Sequence, residues 1–168
     1  EGIIRTPLDP YQTFNDDPLR IMRAIRFATQ FHFEIDKKTL AGIAENKERL
    51  EIVSQERITD EFLKILAADT PSIGLSLMKK SGVLRVVFPE LDDLRGVDKR
   101  EGYQHKDVLQ HTIKVVDNVA QKSSKLLLRF AALVHDIAKP ATKRFVPGIG
   151  WTFYGHEELG ARMLKRIV

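Results

Sequence analysis

Apolar residues recur at helical spacing along most of the chain, separated by residues that start or stop helices. Between residues 18 and 31, a rotation of about 100° per residue separates an apolar half of a helix from a basic half. The apolar half carries Ile21, Met22, Ala24, Ile25, Ala28 and Phe31, and the basic half carries Arg20, Arg23 and Arg26. Asp17 followed by Pro18 predicts that Asp17 is the N-cap residue of this helix.

The same signals predict helices in the rest of the chain. Further helices are predicted to begin at Asp36, at Ser54 and at Thr70-Pro71, the last of them ending at Gly82. A short turn is predicted at residues 83–88. Three more helices are predicted over residues 107–120 and 124–138 and from about Glu157 onward.

Two segments interrupt the helical pattern. Residues 143–154 have a Pro-Gly centre flanked by Phe145 and Trp151, which predicts a small β-hairpin. Residues 95–106 are polar and lack apolar periodicity, so they are predicted to contain a module boundary. The fold class is therefore all-α: a helical bundle at residues 1–94 is followed by a second helical domain at residues 95–168, with one small β-hairpin.

Composition narrows the class of protein. A chain of 168 residues with 43% apolar residues can bury about 70% of its unfolded surface and is too apolar to be disordered. It has no cysteine, which excludes disulfides and thiol nucleophiles and fits a reducing compartment. No apolar run approaches the roughly 18 residues of a membrane helix, and no signal peptide is recognised. These features favour the cytoplasm and no membrane partner.

The net charge of +4 is unevenly distributed. Residues 1–100 hold 16 Lys and Arg against 17 Asp and Glu, whereas residues 101–168 hold 11 against 6. A basic excess favours nucleic acid or phosphate ligands, although an ordinary solvated surface would look the same.

Histidines and a carboxylate in the second half form a candidate metal site. His111 and the adjacent pair His135-Asp136 lie on consecutive predicted helices that should be antiparallel neighbours, and His156 follows. Imidazoles and a carboxylate bind the divalent ions that serve phosphate chemistry. A single histidine is more often a packed or surface residue. Burying two adjacent ionisable groups, however, is costly unless they are paired or bound to metal.

Three segments of this region resemble HD-domain metal-dependent phosphohydrolases: DVLQHT at 107–112, LRFAALVHDIAKP at 128–140 and GHEELGA at 155–161. The resemblance implies that His111, His135 and Asp136 ligate Mg²⁺ or a divalent transition metal, with His156 as an additional ligand. It also implies a phosphate contact for Lys139. The distal Asp of that superfamily has no counterpart before Val168, so this HD domain is expected to be truncated and to hold metal weakly.

The first half resembles a second family. GIIRTPLDPYQTFNDDPLRIMRAIRFATQF at 2–31 and SQERITDEFLKIL at 54–66 are similar to the neck and body of class II tRNA nucleotidyltransferases and bacterial poly(A) polymerases. The resemblance implies a parent enzyme that adds CMP and AMP to the 3′ end of tRNA, using CTP and ATP. It also implies that the Mg²⁺-binding catalytic head would precede Glu1, so the fragment itself is not expected to catalyse nucleotide addition.

The base-reading motif of this family, Glu-Asp-x-x-Arg, falls on Asp16, Asp17 and Arg20, with Asp in place of Glu at the first position. Cytosine and adenine both present an amino group beside a bare ring nitrogen. A carboxylate accepts a hydrogen bond from the amino group, and a guanidinium donates one to the ring nitrogen. The resemblance thus makes Asp17 the acceptor and Arg20 the donor. Arg23 and Arg26 are either contacts to triphosphate or RNA or part of a solvated face.

Structural interpretations of the same residues remain open. Asp17 as a helix cap, an ion pair between Asp16 and Arg20, and a solvated arginine face would account for them without any ligand. Three alternatives to CCA addition also remain: a poly(A) polymerase, an HD phosphohydrolase with the first helices as scaffold, and a non-catalytic RNA-binding module. The sequence leaves the oligomeric state and the substrate of the HD domain undecided.

Overall fold

The computed structural model describes residues 2–96 and 98–167, and most of these residues lie in helices. In chain order the helices are α1 (Pro10–Asp16), α2 (Leu19–Phe31), α3 (Lys37–Asn46), α4 (Gln55–Ala67), α5 (Pro71–Ser81), α6 (Val83–Val87), α7 (Pro89–Asp92), α8 (Val108–Lys122), α9 (Leu126–Val134), α10 (Lys139–Thr142) and α11 (His156–Ile167). A 3₁₀ helix at Lys47–Ile52 follows α3.

Short strands form three two-stranded sheets within the described residues. The strands are β1 (Ile3–Ile4), β2 (Glu34–Ile35), β3 (Asp98–Arg100), β4 (Tyr103–His105), β5 (Arg144–Val146) and β6 (Gly150–Thr152). β1 and β2 pair in parallel, whereas β3 with β4 and β5 with β6 form antiparallel hairpins. The all-α fold class is therefore confirmed, and so is the hairpin predicted within residues 143–154.

Several predicted helix ends are confirmed at the level of single residues. Asp36 caps α3, its Oδ2 accepting from the main-chain N–H groups of Lys38 and Thr39 at 3.1 and 3.4 Å. α5 begins at Pro71 and is followed by Gly82, whose φ of 80° is readily adopted only by a residue without a side chain.

The prediction that Asp17 caps α2 is wrong for its side chain, which accepts no main-chain N–H of α2 in the hydrogen bonds of the described residues. α1 ends at Asp16, and Asp17 follows it as its C-cap residue with an extended backbone. Pro18 already has helical φ and ψ angles of −60° and −26° and occupies the N-cap position of α2 itself. The carbonyl of Asp17, rather than its side chain, accepts the N–H of Arg20 at 3.1 Å.

Three other expectations need correction. Phe31 was placed on the apolar half of α2, but it lies at the last position of that helix and is 57% exposed. The turn predicted at residues 83–88 is the short helix α6. The helix predicted to reach residue 138 ends at Val134, so that His135 and Asp136 lie beyond its end.

One hydrophobic core extends through both halves of the chain. α2 packs on α4 and α5, α8 packs on α5 and α9, and α4 also packs on α9. The cluster of buried apolar side chains accordingly runs from Phe14 to Ile137. This packing fixes the first helices relative to the predicted metal residues on α8 and after α9. No helix among the described residues has both the length and the apolar character to cross a membrane.

Candidate functional site

The structure brings together three of the predicted metal ligands. Asp107 caps α8 by accepting the N–H of Gln110 at 3.0 Å, and His111 lies in the first turn of that helix. His135 is the C-cap residue of α9, and Asp136 follows it with only 2% exposure. One ligand atom from each of His111, His135 and Asp136 lies within 4.8 Å of the others, a spacing at which a single ion can contact all three.

Main-chain carbonyls orient two of the four candidate ligands. Nδ1 of His135 lies 2.7 Å from the carbonyl oxygen of Ala132, and Nδ1 of His156 lies 2.8 Å from that of Phe153. Because a carbonyl can only accept, Nδ1 is the donor in both rings, and Nε2 is turned toward the site. Nε2 of His156 is 3.7 Å from Oδ1 of Asp136, which places His156 at the edge of the cluster.

The electrostatics favour an ionised carboxylate. Burial raises the pKa of Asp136, but hydrogen bonds from His135 and Lys139 outweigh burial and hold the pKa at about 2. Nε2 of His135 lies 3.2 Å from Oδ2 of Asp136, and this carboxylate raises the pKa of His135. A buried, ionised carboxylate beside two imidazoles is a donor set that fits a divalent ion.

Lys139 lies between this cluster and the ring of Phe153. Its Nζ donates to Oδ2 of Asp136 at 2.7 Å and lies 5.6 Å from the centre of the Phe153 ring. The His105 ring lies 4.7 Å from the Phe153 ring, and burial together with Lys139 lowers the pKa of His105. His105 was missed in the sequence because it lies in a segment without periodicity. The phosphate contact assigned to Lys139 remains a prediction.

The predicted base-reading residues lie together at the start of α2. Asp16 is exposed, Asp17 is half-buried and Arg20 is exposed. Nε of Arg20 is 3.5 Å from Oδ2 of Asp17, so Arg20 pairs with the residue three positions before it and not with Asp16, as the structural alternative had it. The carboxylate and the guanidinium are thus adjacent and both reach solvent, as a pair that contacts one base edge requires.

The two other arginines of α2 differ in their surroundings. Arg23 is exposed. Arg26 donates to Oε2 of Glu61 on α4 at 2.6 Å, and this ion pair is largely buried, with exposed side-chain fractions of 17% and 6%. Arg26 therefore joins α2 to α4, which corrects the expectation that it contacts triphosphate or RNA, whereas the ion pairs of the described residues include none to Arg23.

Family models match both halves of the chain. Residues 32–95 match a family described as "Probable RNA and SrmB- binding site of polymerase A". Residues 108–167 match the HD domain. The two matched regions together contain most of the chain.

Curated relatives agree with both matches. The chain is 35% identical over 161 residues to a "Multifunctional CCA protein" of Shewanella frigidimarina, an alignment with 92% of this chain and 38% of that protein. It is 40% identical over 136 residues to a protein of the same name from Vibrio cholerae, covering 77% of this chain and 34% of the relative. The chain thus spans less than two-fifths of the length of these relatives.

Two solved structures share the fold. A "tRNA-processing enzyme (apo form 2)" is 26% identical with a TM-score of 0.55, covering 80% of this chain and 38% of that one. "The complex structure of CCA-adding enzyme with ATP" is 21% identical with a TM-score of 0.50, covering 99% of this chain and 51% of that one, and shows likeness of fold alone. Together with the two family models, the curated relatives show that this chain is similar to part of the multifunctional CCA proteins and that its second half is similar to the HD domain.

Proposed function

We propose that this chain is the base-reading and tRNA-binding part, with an HD metal site, of a protein that adds CMP and AMP to the 3′ end of tRNA from CTP and ATP. The single observation that carries the proposal is the pair formed by the half-buried Asp17 and the exposed Arg20, 3.5 Å apart at the start of α2. The names of the curated relatives support it.

The pair suits the two bases that CCA addition uses. An acceptor beside a donor matches the amino group and bare ring nitrogen that cytosine and adenine share. Guanine and uracil present the reverse order and would leave both protein groups mispaired. Nucleotidyl transfer itself also needs carboxylates that hold Mg²⁺. We assign these carboxylates to a domain outside residues 2–167. In this proposal residues 1–94 contact nucleotide and tRNA, and residues 95–168 form the HD domain.

The experiment uses a protein that joins this chain to a nucleotidyl-transfer domain. It is incubated with tRNA that ends at the discriminator base and with each nucleoside triphosphate in turn. We expect two additions from CTP, then one from ATP, and no product from GTP or UTP. Long tails from ATP alone would establish the poly(A) polymerase alternative, and RNA binding without any addition would leave a binding module.

A second activity is supported by a separate observation, the cluster of His111, His135 and Asp136. We propose that this cluster holds a divalent transition metal or Mg²⁺ and hydrolyses phosphoesters, since such an ion activates water and neutralises phosphate oxygens. The test is hydrolysis of bis-p-nitrophenyl phosphate by this chain with Mn²⁺, Ni²⁺ or Mg²⁺. Activity that disappears in Asp136→Asn and persists in Asp17→Ala would support the proposal, and equal activity in Asp136→Asn would refute it.

A further inference from the structure

An exposed stripe of arginine and phenylalanine continues along α2 from the base-reading pair. Arg20, Arg23, Phe27 and Phe31 follow one another at spacings of three, four and four residues, which places them on one line of the helix surface. At 1.5 Å per residue the line is about 16 Å long. All four residues are exposed.

The far end of this stripe is aromatic. The Phe27 and Phe31 rings are stacked, with centres 5.8 Å apart and planes within 10° of parallel. Phe33 extends the group, its ring centre 5.7 Å from that of Phe31. The exposed fractions are 38% for Phe27, 57% for Phe31 and 40% for Phe33. Clustered apolar side chains that remain exposed mark a binding surface, because leaving them in water forfeits the free energy of burial.

Basic groups lie along this stripe. The ion pairs found among residues 2–96 and 98–167 give Arg23 no acidic partner. The Arg26 guanidinium lies 4.2 Å from the centre of the Phe27 ring while it also binds Glu61. The exposed Glu34 follows Phe33, and Asp16 and Asp17 precede Arg20, at the opposite end from the rings. A ligand that matches this order has flat apolar groups and anionic groups within one chain, which is the chemistry of single-stranded nucleic acid.

We propose that Phe27, Phe31 and Phe33, defined here as the aromatic end of α2, stack unpaired bases at the 3′ end of an RNA, and that Arg23 contacts the adjacent backbone phosphate. This inference rests on the proposed function insofar as RNA is the partner. It adds an RNA-binding surface that begins at Arg23, next to the base-reading pair. Bases within a duplex are stacked on each other, so the surface selects unpaired ends.

The test uses the chain of 168 residues and an RNA hairpin with four unpaired 3′ nucleotides, 2-aminopurine replacing the last base. Stacking on an aromatic ring quenches the fluorescence of 2-aminopurine, and anisotropy of a second label gives the affinity. We expect Phe31→Leu to weaken binding about tenfold and to abolish quenching, because leucine keeps the apolar character but lacks the ring face. Phe31→Trp should retain both signals.

The matched control is Leu127→Ala, which removes an apolar side chain that is 78% exposed on α9, and it should bind as the unaltered chain does. Arg23→Gln should reduce the slope of log affinity against log salt by about one. Unchanged quenching in Phe31→Leu, or equal affinity for a blunt hairpin, would overturn the inference. A chain that self-associates through Phe31, and whose RNA binding is unchanged in Phe31→Leu, would overturn the inference and make the aromatic end a protein contact.

A negative result for the aromatic end can be distinguished from a failure of the proposed function. Base selection by Asp17 and Arg20 is measured with nucleoside triphosphates and does not require the aromatic end. If RNA binds without quenching while CTP and ATP are still selected, the stacking surface is refuted and the function stands.

Discussion

The guanidinium of Arg129, on α9, donates to the main-chain carbonyl of Leu66 near the end of α4, 3.0 Å away. The same side chain reaches the carbonyls of Ala68, Ala120 and Ser123 and is only 4% exposed. One buried cation therefore satisfies carbonyls at the ends of two helices, where such groups otherwise lack partners. It joins the end of α4, which packs on α2, to α9 and to the end of α8.

Arg129→Met should lower the free energy of unfolding by about 3 kcal/mol, since methionine keeps much of the volume but leaves several buried carbonyls unpaired. Urea denaturation followed by circular dichroism measures the change. The control is Arg162→Met on α11, which removes an exposed ion pair with Glu158 and should cost no more than about 0.5 kcal/mol. Equal effects of the two substitutions would contradict this account of Arg129.

Glu61→Ala should destabilise the packing of α2 on α4 by about 3 kcal/mol, because it leaves Arg26 largely buried without its partner. The double variant Arg26→Met with Glu61→Leu should recover most of that loss, since two apolar side chains replace the pair. Thermal and urea unfolding of the three proteins give the comparison. Asp60→Ala removes an exposed partner of Lys64 and serves as the control, with an expected change within about 0.5 kcal/mol.

Asp17→Ala should leave stability within about 0.5 kcal/mol of the unaltered protein, because the Asp17 side chain does not cap α2. In a protein joined to a nucleotidyl-transfer domain, the same change should erode the preference for CTP and ATP over UTP and GTP about ten- to a hundredfold. Arg20→Ala should weaken the incorporation of both CTP and ATP, since both bases accept a hydrogen bond from Arg20. Asp16→Ala is the neighbouring control; if it erodes selectivity as much as Asp17→Ala does, the assignment of the acceptor is wrong.

Lys139→Met should tighten the binding of Mn²⁺ about tenfold. The ammonium lies 2.7 Å from Oδ2 of Asp136 and repels a second cation bound to the same carboxylate. Asp136→Asn should abolish binding, and both are measured by calorimetry. Lys165→Met, on the exposed side of α11, is the control and should bind as the unaltered chain does. Weaker binding in Lys139→Met would show that the lysine supports the ion instead of competing with it.

The sequence predicted the helices where apolar spacing and capping residues agreed, as in α3 after Asp36 and α5 between Pro71 and Gly82. It failed where two neighbouring helices competed for one residue: Asp17 was assigned to the start of α2, although the backbone uses it at the end of α1. It also missed the β3–β4 hairpin, whose turn at Glu101 and Gly102 has positive φ angles of 50° and 81°. A Glu-Gly turn is a weak signal in a polar segment.

The residues of the candidate sites also divide into those that the sequence predicted and those that it did not. His111, His135 and Asp136 were found because their residue types and spacing carry chemical information, and the structure places them together. His105 and Arg129 were not found as site or linking residues, since their partners lie far away in the sequence. The exposure of Phe31 follows from its place at the edge of the apolar half, since eleven residues at about 100° each bring it to within about 20° of Arg20 on the helix surface.

The end of α9 at Val134 limits which substitutions the chain can accept in the residues that follow. If the helix continued regularly for one more turn, the carbonyl of Ala132 would be shared between the N–H of Asp136 and the imidazole of His135, which would weaken the contact that orients this ring. Substitutions that favour helix through residues 135–138 would then raise local helical content and at the same time dismantle the metal cluster. The interrupted helix is therefore the part of the fold where a stabilising change is expected to be harmful.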